Sequence, residues 1–201
     1  MVEADLEAPT EPGVLVAIEH ATASFARAFP YLGWRYGDAG LHDARDDLAQ
    51  LLAAASNHRD ALNQQITWVA EQMTLRGQPR WMLEVEIELL ARSAARCVPR
   101  QGERLATVLR EGGYPLGRDR HTAMAEGKFR RAGVHFEAEL GFGPGRAWRG
   151  FGQILCSAVL DERRGFDTIL DRVREWALDP HRFGQPWLGA VESSIAHYRS
   201  L

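Results

Sequence analysis

Residues 79–97, PRWMLEVEIELLARSAARC, indicate the fold class of this chain. Pro79 suits the first position of a helix, because its ring fixes φ and its missing N–H would have no partner there. The apolar residues that follow lie on more than one face of a helical wheel: Met82, Leu83, Val85, Ile87, Leu89, Leu90 and Ala94. A helix that is apolar on several faces is usually buried. The stretch therefore predicts the central helix of a helical core.

Apolar residues at helical spacing recur on both sides of this stretch. They predict further helices at about 13–28, 42–56, 58–76, 101–111, 118–131, 147–162, 166–178 and 186–199. Gly77 is expected to end one of these helices as a left-handed cap. Residues 1–12 are predicted to be a disordered lead-in. We therefore expect an all-α fold, a bundle of seven to nine helices, in which residues 13–201 form one globular domain.

Two segments interrupt the helical pattern. Residues 31–40, YLGWRYGDAG, combine glycines with aromatic residues, which is typical of an ordered turn. Within residues 133–146, apolar and polar residues alternate, which is the period of a strand. A lone strand would have no partner in an otherwise helical chain, and even an isolated pair is marginal. We therefore expect an extended or irregular crossing, or a short helix end, at 133–146.

The composition excludes several classes of protein. The chain is 45% hydrophobic and 25% charged, as globular domains are, and its net charge of -3 lacks the basic excess of a general nucleic-acid binder. No apolar run approaches the roughly 18 residues of a membrane span. The first residues are acidic and lack the regions of a signal peptide. We expect a cytoplasmic protein that acts without nucleic acid or membrane.

The residues suited to catalysis or metal binding form no known signature. No two of the seven histidines are three or four positions apart, and none is paired with a cysteine, so a zinc motif is missing. Neither a P-loop nor a nucleophile elbow is present. Glu84, Glu86 and Glu88 lie on one predicted helix with arginines at one-turn spacing and are interpreted as a solvated, ion-paired face. Cys97 and Cys156 are expected to be buried thiols. We therefore predict no catalytic residue, no metal ligand and no cofactor, although a single histidine could still hold haem or another tetrapyrrole.

Candidate ligand-binding residues come from three places. The segment at 31–40 offers two aromatic side chains, and the glycine-rich residues 141–152 offer an indole and two guanidinium groups for anions. Two histidines on or near predicted helices are the best candidates for a single imidazole ligand. The predicted set is Trp34, Tyr36, His58, His121, Arg146, Trp148 and Arg149.

A run of motifs covers about residues 25–92. It consists of RYGDAG at 35–40, Asp46, the apolar residues from Leu48 to Ala55, WVA at 68–70 and RGQP at 76–79. This run resembles a helical region of some bacterial regulators, where it precedes a cobalamin-binding module. The Asp-x-His-x-x-Gly loop of such modules does not occur in this chain, so no binding residue is carried over. The resemblance implies a bacterial regulatory or sensory helical domain.

Three functions remain open, of which we favour the first. A non-catalytic regulatory or protein-interaction module, working with a protein partner or as a homodimer, predicts an exposed apolar and aromatic patch without a deep pocket. A sensor of a flat or apolar small molecule predicts an enclosed pocket lined by Trp and Phe, with one His or Arg pointing inward. A helical enzyme predicts convergent acid and base side chains with shifted pKa values in a cleft.

Overall fold

The computed structural model describes residues 10–141 and 150–201. Of these residues, 85% are helical and none is in a strand, so the predicted all-α fold is confirmed. The described helices are α1 Pro12–Ala28, α2 Pro30–Asn57, α3 Arg59–Arg76, α4 Arg80–Cys97, α5 Gly102–Ala123, α6 Glu126–Glu139, α7 Phe151–Glu162, α8 Asp167–Ala177 and α9 Gln185–Ser200. Most of the predicted lead-in, residues 1–9, lies outside the described part, and Pro12 is already the first residue of α1. None of the described helices is both long enough and apolar enough to cross a membrane.

The end of α3 forms as the sequence predicts. Gly77 has a φ of 71°, the left-handed conformation that a residue without Cβ adopts most easily. Its N–H donates to the carbonyl of Thr74 at 2.9 Å, and the N–H of Gln78 donates to the carbonyl of Met73 at 2.8 Å. These bonds satisfy carbonyls that the helix end would otherwise leave unpaired. Pro79 then precedes the first residue of α4.

The prediction of a turn at 31–40 is wrong, because these residues belong to α2. Within α2, Gly37 alone has non-helical angles, with φ 61° and ψ −147°, so two helical stretches meet at a kink there. Tyr31 and Leu32 are buried, so packing holds this first part of the helix in place. The glycine therefore absorbs the change of direction, and the helix continues on its other side.

The predicted end of a helix at residues 112–113 is also wrong. α5 runs without a break through both glycines and through Pro115. A Cβ on Gly112 would lie 2.8 Å from Leu62 Cδ2, and one on Gly113 would lie 3.0 Å from Ile87 Cγ2. These glycines therefore allow α3 and α4 to approach α5 closely. In the sequence alone, a pair of glycines kept for packing looks the same as a pair that ends a helix.

Of the alternatives for 133–146, the extended or irregular crossing is wrong for the first part, where a helix end forms instead, since α6 continues to Glu139. The buried residues of α6 are Phe129, Ala132, Gly133 and Phe136, which is helical spacing, whereas Val134 is 61% exposed. The alternation of apolar and polar residues therefore did not mark two faces of a strand. Residues 142–149 lie outside the described part of the chain.

The carboxylates of α4 divide between surface and interior. Glu88 is ion-paired as predicted, with its oxygens 2.7 Å from Arg92 Nε and 3.0 Å from Arg110 Nε. Glu86 is only 1% exposed, so the interpretation of these glutamates as one solvated face is too broad. Most of the apolar residues of the helix are buried as expected, namely Met82, Leu83, Ile87, Leu90 and Ala94, whereas Val85 and Leu89 are only partly buried.

The contacts divide the described chain into two compact units. Unit 1 comprises residues 10–28, 32–70 and 83–115, and unit 2 comprises 29–31, 71–82, 116–141 and 150–201. Leucines dominate the core of unit 1: Leu48, Leu51, Leu52, Leu62, Leu105 and Leu109. Aromatic residues dominate the core of unit 2: Phe129, Phe136, Phe151, Trp176 and Trp187. That residues 13–201 form one domain stays a prediction.

Candidate functional site

The candidate site lies in unit 2, where α6 packs against α9. The hydroxyl of Tyr198, a fully buried residue of α9, donates a hydrogen bond to the carbonyl of Ala132 on α6. Arg163 donates to the carbonyls of Tyr198 and Arg199, at 3.2 and 2.7 Å, which satisfies exposed carbonyls at the end of α9. These bonds fix the position of α9 along α6, so the side chains that follow are held by a defined scaffold.

A groove of about 400 Å³ opens beside this contact. Residues of α6 and of the last turn of α9 line it, together with the residue after α9: Lys128, Arg131, Ala132, Val134, His135, His197 and Leu201. We call it the α6–α9 groove. Its walls combine apolar side chains with two basic side chains and two imidazoles, which is the mixture of surfaces that organic anions bind.

The two imidazoles of the groove stack on one another. The ring centroids of His135 and His197 are 4.1 Å apart and the planes differ by 30°. The ring of His135 also packs edge-on against that of Tyr198, with the two ring centroids 5.9 Å apart. His135 Nε2 is buried and has no hydrogen-bond partner among the described residues. Burial, and then the nearby His197, lower the pKa of His135, while Glu139 opposes this shift.

Two basic side chains extend the groove along α6. Lys128 lies about two turns and Arg131 about one turn before His135, and this spacing places all three on one face of the helix. Both are exposed, and within the described residues no carboxylate lies within ion-pairing distance of either. The adjacent Arg130 differs, because its Nε lies 3.4 Å from Glu126 Oε1. Among the described residues, the positive charge of Lys128 and Arg131 in the groove is therefore not neutralised by an ion pair.

The stack is unsuited to holding a metal ion. Two histidine ligands must direct nitrogen lone pairs, which lie in the ring planes, at one point about 2 Å from each nitrogen. Rings stacked face to face direct their lone pairs along nearly parallel planes instead. The residues at 10–141 and 150–201 also contain no cluster of three or more His, Cys, Asp or Glu that could hold a metal. Stacked imidazoles provide instead a flat, polarisable surface for a planar ligand.

The residues predicted from sequence lie elsewhere. Trp34, 38% exposed, and Tyr36, whose ring centre is 4.9 Å from the Arg35 guanidinium, belong to the first part of α2 in unit 1. His58 is exposed between α2 and α3 in the same unit. His121 lies in the last turn of α5 in unit 2, with its Nδ1 3.6 Å from Glu126 Oε2. None of these four lines the α6–α9 groove, and their role in binding stays a prediction.

The remaining predicted residues, Arg146, Trp148 and Arg149, lie outside the described residues. Sequence reasoning missed the groove because the strand-like alternation at 133–146 hid the helical face of α6. One signal was present: Lys128, the only lysine of the chain, stands at helical spacing with Arg131 and His135. The stacking of His135 on His197 left no local signal, since the two residues are far apart in sequence.

A second polar cluster in unit 2 has a structural role. The carboxylate of Asp161 accepts a 2.9 Å hydrogen bond from the N–H of Arg80, the first residue of α4, and thereby caps that helix. Burial raises the pKa of Asp161 to about 6, although Arg80 and Arg164 oppose the shift. Arg164 also donates to Asp119 Oδ2 at 2.6 Å. These contacts join α4, α5 and the segment after α7 within the unit.

The cysteines differ from one another. Both are thiols, but only Cys156 is buried, and burial raises its pKa to about 12. Cys97 is partly exposed in unit 1, with its Sγ 3.6 Å from Nδ1 of the exposed His20. The expectation of buried thiols is therefore correct for Cys156 and wrong for Cys97, because Cys97 is the last residue of α4 rather than an interior one.

Comparison of the chain with protein-family models, with curated proteins and with solved structures gave no match. The function is therefore argued from the groove and its residues.

Proposed function

We propose that the protein is a non-catalytic regulatory domain, of the bacterial kind that residues 25–92 resemble, and that its α6–α9 groove binds a small organic anion with a flat or apolar body. The observation that carries this proposal is the lining of the groove. Lys128 and Arg131 supply charge that no described carboxylate neutralises, and the stacked His135 and His197 supply a flat surface. The apolar Leu201 completes the lining.

The size of the groove supports a ligand of ordinary metabolite dimensions. Its volume of about 400 Å³ lies within the range of roughly 300–1,000 Å³ typical of small-molecule sites. The groove has the inward imidazole expected of a sensor but not the expected lining of Trp and Phe. Its ligand is therefore held by charge as well as by apolar contact. A tetrapyrrole with carboxylate side chains belongs to the same ligand class, and the visible absorption spectrum of the purified protein tests for it.

A fluorescent anion tests the proposal directly. The probe 8-anilinonaphthalene-1-sulfonate combines a flat apolar body with one fixed negative charge, and N-phenyl-1-naphthylamine is its neutral counterpart. The double variant K128Q/R131Q should weaken binding of the sulfonate about fivefold to tenfold, since each exposed ion contact contributes roughly 0.2–1 kcal/mol. Binding of the neutral probe should change by less than about twofold.

The variant R130Q is the matched control, because Arg130 is equally exposed but pairs with Glu126 rather than lining the groove. It should leave the dissociation constants of both probes unchanged. Equal weakening by R130Q and by K128Q/R131Q would show that general surface charge, rather than the groove, attracts the sulfonate. Loss of the neutral probe to the same degree would show that charge has no part in binding.

The proposal also includes a cytoplasmic location and a protein partner or second copy that receives the signal. The two thiols support a reducing compartment. Leu15 and Val16, adjacent on α1 and 39% and 46% exposed, support an apolar contact with another chain. Sedimentation of the wild type and of L15S/V16S tests whether two copies of the chain associate. A wild-type dimer that becomes monomeric in the double variant supports association, and a monomer in both cases counts against it.

A further inference from the structure

The stacked imidazoles limit how much positive charge the α6–α9 groove can hold. The rings of His135 and His197 are 4.1 Å apart, so protonation of one strongly opposes protonation of the other. Lys128 and Arg131 add like charge on the same face of α6. Burial of His135 acts in the same direction, since it disfavours a charged ring. Without a ligand, these effects together favour a neutral His135.

Few neighbouring groups oppose a neutral His135. On α6, Glu139 is the carboxylate that favours a charged His135. On α9, the rings that meet His135 are those of His197 and Tyr198, and the hydroxyl of Tyr198 stays protonated because burial raises its pKa. α7 packs against both helices, and the α7 residues that meet α6, namely Phe151, Gly152 and Gln153, are uncharged. The charge state of the pair therefore depends mainly on what occupies the groove.

An anion in the groove reverses this balance. Negative charge beside Lys128 and Arg131 removes the repulsion that disfavours a protonated ring and attracts the imidazolium. Because linkage is reciprocal, a ligand that strengthens proton binding is itself bound more strongly when the proton is present.

We propose that the α6–α9 groove binds its anion together with a proton on the His135–His197 pair, so that the affinity for the anion rises as pH falls. This inference rests on the proposed function, of which it specifies the regulation. The protein would then respond to ligand and acidity jointly, retaining the ligand in mildly acidic solution and releasing it at neutral or higher pH.

The pH dependence of probe binding tests the coupling. The sulfonate probe keeps its charge throughout, so any pH dependence of its binding between about pH 5.5 and 8 comes from the protein. We expect its dissociation constant to fall about fivefold to tenfold toward the acidic end, since uptake of one proton gives at most about tenfold per pH unit. The neutral probe should change by less than about twofold over the same range.

Three single variants of the full chain locate the effect. H135Q and H197Q should each flatten the pH profile of the sulfonate probe, whereas H42Q, at an exposed histidine of unit 1, should keep it. Near-ultraviolet circular dichroism at each pH checks that the fold persists. The H197Q variant keeps the test valid if H135Q fails to fold, because His197 is exposed.

Each outcome separates the two proposals. A dissociation constant of the sulfonate probe that does not change with pH would overturn the coupling, and so would a pH dependence that persists in both H135Q and H197Q. Either result would leave the proposed function in place. The coupling is also overturned if the dissociation constant of the neutral probe changes with pH as that of the sulfonate probe does, because the change would then reflect general exposure of apolar surface. No binding of either probe at any pH overturns the proposed function and the coupling with it.

Discussion

Replacing Asp161 by asparagine tests how unit 2 tolerates a buried charge. The carboxylate caps α4 through its bond to the N–H of Arg80, and burial raises its pKa from 3.8 to about 6. Asparagine keeps an oxygen that can accept the same hydrogen bond but has no proton to bind or release. The substitution therefore removes the titration while preserving the cap.

The direction of the pKa shift of Asp161 determines how the stability of the wild type changes with pH. Because the pKa of Asp161 is higher in the folded chain, the folded state binds the proton more tightly than the unfolded state. The resulting stabilisation is complete below about pH 3.8 and is lost as pH rises through about 6. A shift of about 2 units corresponds to about 3 kcal/mol, at about 1.4 kcal/mol per unit. Asp161 should therefore make the wild type less stable at neutral pH than in mild acid by up to that amount.

Urea unfolding at about pH 4, 5.5 and 7 measures this contribution. Relative to wild type, D161N should gain about 1–3 kcal/mol of unfolding free energy between the acidic and the neutral condition. The control D179N changes a partly exposed aspartate whose pKa is lowered by the N–H of His181, so it should show no such gain. Parallel pH profiles for the wild type and D161N would refute the reasoning, since they would show that Asp161 titrates alike in the folded and unfolded states.

Four further predictions concern packing and reactivity. G152A should lower the free energy of unfolding by about 1–3 kcal/mol, because its Cβ would lie 2.6 Å from a backbone carbonyl of α6. G189A, where nothing lies within 4 Å of the new Cβ, should instead stabilise the chain by about 0.5–1 kcal/mol in the same thermal or urea assay. Cys97 should react with a disulfide reagent in the folded protein while Cys156, buried and with its pKa raised to about 12, should stay protected, and equal rates by mass spectrometry would contradict this. Y198F should cost about 1 kcal/mol in urea unfolding through loss of the bond from the Tyr198 hydroxyl, and an unchanged midpoint would show that this bond contributes nothing.

The helices that could be predicted from the sequence are those whose signals are local. The cap at Gly77 and the apolar spacing of α4 depend on neighbouring residues, and both form as predicted. The wrongly predicted helix end comes from glycines that are needed for contacts with distant parts of the chain. Gly112 and Gly113 interrupt no helix, because they make room for Leu62 and Ile87 from other helices. Such close approaches cannot be distinguished from stop signals without the tertiary structure.

The candidate site was beyond sequence reasoning for a similar cause. The basic face of α6 could have been found once its helix was recognised, since Lys128, Arg131 and His135 share one face. The stack with His197 could not, because it depends on the packing of α9 against α6 and on the bond between Tyr198 and α6. No local motif of the kind that marks a metal or nucleotide site is present here, since stacking and charge have no fixed spacing in a sequence.

The most direct test of the account is whether a bound anion covers Lys128. It is the only lysine in the chain, so an amine-acetylating reagent modifies a single side-chain amine, and mass spectrometry follows its rate. Saturating 8-anilinonaphthalene-1-sulfonate should slow acetylation of Lys128 severalfold, while in R130K the new amine at position 130, outside the groove, should react at the same rate with and without probe. Acetylation of Lys128 that proceeds unchanged under saturating probe would contradict binding in the α6–α9 groove.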